Sequence, residues 1–407
     1  MIPTIDAQLV IGPYETKHFS ADQLFQRLES YIHHVDTKRL IIWNNQSERW
    51  FERINRFADD LGIETYLWYP VLADRMDKTI PSEAELVRSA RKDLGYGTFG
   101  TWNGFVGNDE NFLFRCPEHA LSLPLVTEEI NSSLATYGFS GVFLDRIRYP
   151  SPANGLEMLF SCFCNHCLES GHGLQETQAQ KAISLMTEFC LSGQYMKWDE
   201  FVAVAEIGGL MDRRNSAIEE MVRTIYDSLD HTRFKLGLDL LTPSLAQLVG
   251  QDYTRLAPHC DWIKSMTYTK AIGPAGLPLE VNSLIQGLQD ADKRIGPQQA
   301  AVWIASLLGL QSRQMEELMG TGVFGQDLLQ SEIQRSLSLV QDRVPVLAGI
   351  ELVDHPVFPT KISSSQAEAM IQAVSTMQTG VIACWNLLYI PAENYALLKK
   401  AQGVLHG

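Results

Sequence analysis

Eight short apolar runs recur along the chain, each rich in β-branched or aromatic residues and each followed by a polar or Gly/Pro loop and then a longer stretch of helical periodicity. They are Gln8–Glu15, Arg39–Asn44, Glu64–Pro70, Gly141–Asp145, Lys235–Asp239, Trp262–Tyr268, Val344–Glu351 and Gly380–Asn386. Between them, segments such as Ala21–His34, Glu48–Leu61 and Pro124–Tyr137 carry apolar residues at three- and four-residue intervals, as a helix with one buried face does. Strand then helix, eight times over, predicts an α/β fold of the (β/α)8 TIM-barrel class. An open doubly wound sheet would alternate in the same way. However, no G-x-G-x-x-G follows the first run, and the runs tend to end in Asp, Glu, Tyr, Trp or Asn, the strand-end residues from which barrel sites are built. Two connections exceed a simple crossover, at about 71–140 and 150–234, and are expected to be insertions after strands 3 and 4 that shape a pocket. No linker or shift in composition divides the chain, so the expectation is one barrel domain over residues 1–407.

A fold of this size needs a large core, and a composition of 45% hydrophobic and 20% charged residues supplies it. The formal net charge of −15, with no basic run, counts against nucleic acid as a partner, since phosphate binding requires clustered Lys and Arg. The opening stretch MIPTIDAQLVIGPYE has no secretory-signal pattern, and no apolar run reaches the roughly 18 residues of a membrane span. A cytoplasmic protein without a membrane partner is therefore expected; a homo-oligomer is compatible with the sequence. Seven cysteines, an odd number in a long chain without an export signal, argue against a disulfide framework.

The most specific stretch is Tyr137–Pro150, YGFSGVFLDRIRYP, in which a strand ends in Asp145 and runs into Arg146, Arg148 and Tyr149. A carboxylate at a strand end beside two guanidinium groups is held ionised by their charge, as a glycosidase nucleophile must be. The alternative is an Asp–Arg pair that pins the loop. The stretch resembles the G-x-D-G-[IV]-x-[LF]-D-x-[IV]-R-Y-P signature of uncharacterised barrels of the glycoside-hydrolase type, with Ser140 at the position those proteins usually give to Asp. LGLDLLTPSLAQLVGQDYTRLAPHCDWIKSMTY is similar to the region spanning their fifth and sixth strands. The resemblance covers roughly residues 110 to 270 and implies a barrel that acts on carbohydrate.

A second resemblance lies in Cys116-Pro117 and in FSCFCNHC, which holds Cys162, Cys164 and Cys167. This array looks like the zinc site of family 42 β-galactosidases. The likeness implies a structural Zn2+ with four thiolate ligands, Cys116, Cys162, Cys164 and Cys167, or with His166 in place of one of them. Such a site is closed, because no position is left for water. The alternative is a group of unpaired thiols. Cys190, Cys260 and Cys384 read as core residues.

Glycoside hydrolysis needs a second carboxyl group. Glu351 and Asp239 are the candidates. Glu351 is preferred as acid/base because its apolar neighbours would raise its pKa. No Asn-Glu pair ends the fourth strand, so the family 42 mechanism does not carry over whole. Trp43, Trp68, Tyr69, Tyr149, Tyr268 and Trp385 fall near strand ends, where aromatic rings stack on sugar faces, and Arg148, Lys264 and Asn386 are candidate hydroxyl partners. The expected function is an O-glycosidase acting on an oligosaccharide or glycoside. A non-catalytic carbohydrate-binding barrel is the alternative, followed by a Schiff-base lyase using Lys264.

Overall fold

The computed structural model describes residues 2–74, 82–95, 112–119, 123–172, 174–356 and 361–403. Eight parallel strands close on themselves in sequence order: β1 (Ile5–Ile11), β2 (Thr37–Asn44), β3 (Glu64–Pro70), β4 (Gly141–Asp145), β5 (Lys235–Leu241), β6 (Trp262–Met266), β7 (Val346–Gly349) and β8 (Gly380–Ile382), with β8 pairing back to β1. This is a (β/α)8 barrel. The strands are separated by helices such as Ala21–His34, whose N-terminal Ser20 and Gln23 cap one another, and Arg49–Asp59.

β1 begins three residues before the expected run and ends before Gly12; Pro13–His18 forms a helix instead of continuing the strand. Two polar residues disguise this strand. Asp6 pairs with Arg39 at 2.8 Å at the amino-terminal mouth, and Gln8 points to Lys264 inside the barrel. Polar side chains on an interior face break the apolar pattern on which a sequence reading relies. β7 and β8 are likewise shorter than their apolar runs, ending at Gly349 and Ile382, so that Glu351, Trp385 and Asn386 lie beyond the sheet.

Inside the barrel, Ile41, Tyr66, Phe143, Trp262, Leu347 and Ile382 form a packed layer. Phe143 stacks on Trp262 with ring centres 5.0 Å apart. Gly237 makes room for that ring, since a Cβ there would stand 2.3 Å from it. The larger cluster of buried apolar side chains lies between the barrel and the helices, as expected for strands buried on both faces.

The segments after β3 and β4 are long, and parts of the first, 75–81, 96–111 and 120–122, fall outside the described residues. A third long connection, between β6 and β7, carries the helices Leu277–Ala291, Pro297–Leu308, Ser312–Thr321 and Gln326–Val340. It packs on the segment after β4. Glu280 accepts hydrogen bonds from Ser151 Oγ and the Ala153 amide, each at 2.9 Å, while Trp303 Nε1 donates to the Gln194 carbonyl at 3.0 Å. No described helix is long and apolar enough to cross a membrane.

Candidate active site

A cleft opens at the carboxyl ends of β3 to β6. Period-two alternation fills it. Trp68, Asp145, Asp239, Lys264 and Met266 share the parity that points inward, and each lines the cleft. Phe112, Tyr268, Trp385 and the loop Ala271–Ala275 complete its walls.

Asp145 ends β4, half-buried, and accepts hydrogen bonds from Trp68 Nε1 at 3.0 Å and from the Arg146 amide at 2.5 Å. The expected pairing with Arg146 is not made through the guanidinium. That group turns to Asp74 at 3.4 Å and lies 4.6 Å over the Phe112 ring, following the left-handed backbone at Arg146 (φ 54°). Arg148 is buried beneath the cleft, stacked 4.5 Å over Phe114, and donates to the Tyr149 carbonyl at 3.1 Å. Burial lowers its pKa to about 10, against the opposing pull of Glu280 and Asp145.

Asp239 stands on the neighbouring strand, one residue past the Leu144–Leu238 pair, and so beside Asp145. It is 1% exposed and ion-paired to Lys264 Nζ at 3.1 Å. Burial pushes its pKa up to about 7; the Lys264 charge pulls it down and the Asp145 charge pushes it up. Lys264 also donates to Gln8 Oε1 at 2.6 Å. An ammonium held by a carboxylate and an amide carbonyl is poorly placed for Schiff-base chemistry, which requires the free amine.

Glu351 does not line the cleft. It lies two residues past β7, fully buried, and accepts a hydrogen bond from the Lys270 amide. Burial raises its pKa to about 7, opposed by the Lys270 and Ala271 amides. It holds the base of the loop whose residues Ala271 to Ala275 form a cleft wall.

Three candidate substrate contacts also stand outside the cleft. Tyr69 points outward, as strand alternation requires next to Trp68, and donates to Glu129 at 2.5 Å. Tyr149 donates to Glu118 at 3.2 Å. Trp43 shares the inward parity of Ile41 at the carboxyl end of β2, and its ring lies against Gly12. Asn386 Nδ2 bonds the Val10 carbonyl at 3.2 Å and its Oδ1 accepts from the Leu388 amide, tying the end of β8 to β1. Trp68, Arg148, Lys264, Tyr268 and Trp385 do reach the cleft. Gln8, Phe112 and Met266 were not expected there or beside it, having no sequence signal beyond an ordinary strand or loop position.

The four cysteines are all buried, and their sulfurs lie within 4.8 Å of one another. Cys116 and Cys167 are 3.5 Å apart, Cys164 and Cys167 3.6 Å. Disulfides would require about 2.05 Å. A tetrahedron with metal–sulfur bonds of about 2.3 Å has edges of about 3.8 Å, so the cluster fits a zinc-sized ion. The Arg88 and Cys164 amides both point at Cys162 Sγ from 3.4 Å, which suits a thiolate. His166 packs near His119 and is not part of the cluster. Cys190, Cys260 and Cys384 are buried apart from it. The segment leading to Cys116 links this cluster to the cleft: Phe112 carries Arg146, Phe114 carries Arg148, and Cys116 joins the thiols.

The sequence matches no protein-family model and no curated protein. Among solved structures it is similar to a class V chitinase from Pseudomonas fluorescens, at 12% identity over 98% of this chain and 99% of that one, with a TM-score of 0.49. It is also similar to the spore cortex-lytic enzyme SleL from Bacillus megaterium, at 8% identity over 98% and 73% with a TM-score of 0.46. A third is a chitinase from Chromobacterium violaceum, at 9% identity over 98% of each chain with a TM-score of 0.44. These likenesses are distant, and the barrel assignment rests on the closed sheet itself.

Proposed function

We propose that the protein is a glycoside hydrolase whose two working carboxyl groups are Asp145 and Asp239. One observation carries this reading: the two aspartates stand on adjacent strand ends in a single cleft walled by Trp68, Tyr268 and Trp385. Asp145, fixed by the Trp68 indole and its own loop amide, is the nucleophile. Asp239, with a pKa near 7, is the proton donor that becomes the base in the second half of the reaction. The aromatic walls suit the C–H faces of a sugar ring. Glu351 becomes a support for the Ala271–Ala275 wall.

The four-cysteine cluster is a structural zinc site in this reading. Bound there, the ion would tie the Cys116 segment to the Cys162–Cys167 segment and so hold the Phe112 wall, without a role in chemistry. The protein is expected to act on carbohydrate in the cytoplasm.

The Lys264–Asp239 ion pair favours one other reading, a carbohydrate-binding barrel without turnover, because an engaged carboxylate is a weaker proton donor. Screening purified protein against aryl glycosides separates the two: release of the phenol supports the hydrolase, and sugar binding without release supports the binding barrel.

A further inference from the structure

Lys264 on β6 is clasped between β1 and β5, with its ammonium 2.6 Å from Gln8 Oε1 and 3.1 Å from Asp239 Oδ2. All three side chains are buried. An ammonium has only donors, so Gln8 must turn its carbonyl toward it, and this fixes the orientation of the amide. Asp239 Oδ2 is likewise committed to Lys264. The other carboxyl oxygen, Oδ1, is buried without a partner among the described residues, and so is Gln8 Nε2. A buried polar atom is ordinarily satisfied, so an unpartnered carboxyl oxygen on a cleft residue points to a ligand atom or a proton.

We propose that Gln8 is a positioning residue of the site: by holding the Lys264 ammonium on Oδ2 of Asp239, it leaves Oδ1 as the oxygen that carries and delivers the proton. The proposal rests on the two-carboxylate reading of the cleft. In the step it serves, the Oδ1–H bond breaks and the proton goes to the glycosidic oxygen. The bond from that oxygen to the anomeric carbon breaks, its electron pair staying on the oxygen, as an Asp145 oxygen bonds to the carbon. Asp239 is left as a carboxylate with Lys264 against it.

Among the described residues, the charged and titratable groups around the pair are few. Asp145 on β4 raises the Asp239 pKa and Lys264 on β6 lowers it. Tyr253 and Tyr268 interact with Asp239, and Cys384, past β8, interacts with Lys264. Gln8 is uncharged, so it acts on Asp239 through the ammonium. Without its carbonyl, the buried ammonium loses an acceptor and its charge is less firmly held beside Oδ2, which favours protonated Asp239.

The test is a carbon-13 NMR titration of aspartate-labelled protein, with the Asp239 carboxyl signal identified by its loss in Asp239→Asn. In Gln8→Met, which keeps the side-chain volume and removes the acceptor, the Asp239 midpoint is expected to rise by on the order of one pH unit. In a Lys264→Met background the same change should add nothing, because the effect passes through the ammonium. An unchanged midpoint in Gln8→Met, or an equal shift without Lys264, overturns the proposal. If Gln8→Met does not fold, Gln8→Leu, which also removes the acceptor without adding charge, replaces it, with the same expected rise, and an unchanged midpoint or an equal shift in the Lys264→Met background overturns the proposal equally. The titration needs no substrate, so the two failures are distinguishable: an unshifted midpoint overturns the Gln8 coupling itself, whereas a shifted midpoint in a protein that hydrolyses no aryl glycoside keeps the coupling and overturns the proton-delivery role together with the hydrolase reading. Where a glycoside is turned over, the alkaline limb of kcat/KM, which reports the free enzyme, should move by the same amount as the midpoint.

Discussion

The indole N–H of Trp68 donates to Asp145 Oδ2 at 3.0 Å, from one strand end to the next. It fixes one oxygen of the proposed nucleophile and aims the other. A hydrogen bond to a charged group contributes roughly 1.5–3 kcal/mol. Trp68→Phe, which keeps an aromatic wall and removes the donor, is expected to lower kcat by about 10- to 100-fold with little change in Tm. An unchanged kcat would show that the indole bond does not orient Asp145.

Glu351 separates two assignments of the acid/base. As a support outside the cleft, it should tolerate Glu351→Gln with kcat within about tenfold of the wild type, whereas loss of a general acid costs about 10²- to 10⁴-fold. The same variant has a stability signature. The folded-state pKa is raised from 4.5 to about 7, so between those values the folded protein holds more protons than the unfolded chain. Stability from this group is therefore full below about pH 4.5 and is lost as pH rises to about 7, by roughly 3 kcal/mol. Gln cannot ionise, so Tm measured at pH 5 and pH 8 should differ less in the variant than in the wild type. Equal pH dependence in the two proteins would refute the buried-carboxyl account.

These outcomes also mark where the sequence was readable. Strand number and order followed from the apolar runs, and β3 and β4 match their expected bounds, because both are apolar segments flanked by clear loops. Facing was harder to read. Trp68 and Tyr69 are adjacent, and strand alternation allows only one into the barrel; Arg148, Tyr149, Trp385 and Asn386 follow the ends of β4 and β8, where no alternation tells which side chain turns to the cleft. Glu351 looked like a strand end because its run is apolar through Val353, yet the ladder stops at Gly349. Gln8 and Asp6 were hidden because each is satisfied by a residue far away in sequence, Lys264 and Arg39. The cysteine spacing was legible because all four sulfurs come from two short segments.

Protein purified without added metal is expected to carry one zinc per chain by elemental analysis. Cys164→Ser should release it and lower Tm by on the order of 5 °C. The loosened Phe112 segment should raise KM more than it lowers kcat, and the pH profile should keep its shape. A zinc-free protein with four titratable thiols would refute the site. Activity that vanished on metal removal at unchanged Tm, and returned with zinc, would show that the ion takes part in the chemistry.

Turnover of one aryl glycoside, chosen from the screen, is to be compared in the wild type, Asp145→Asn and Asp239→Asn, with folding followed by circular dichroism. Both changes are nearly isosteric, so both variants should melt cooperatively as the wild type does. The two-carboxylate account predicts hydrolysis by the wild type and a loss of kcat of at least on the order of 10²-fold in each variant. Substantial hydrolysis by Asp145→Asn, or a wild type that releases no phenol from any glycoside tried, would contradict it.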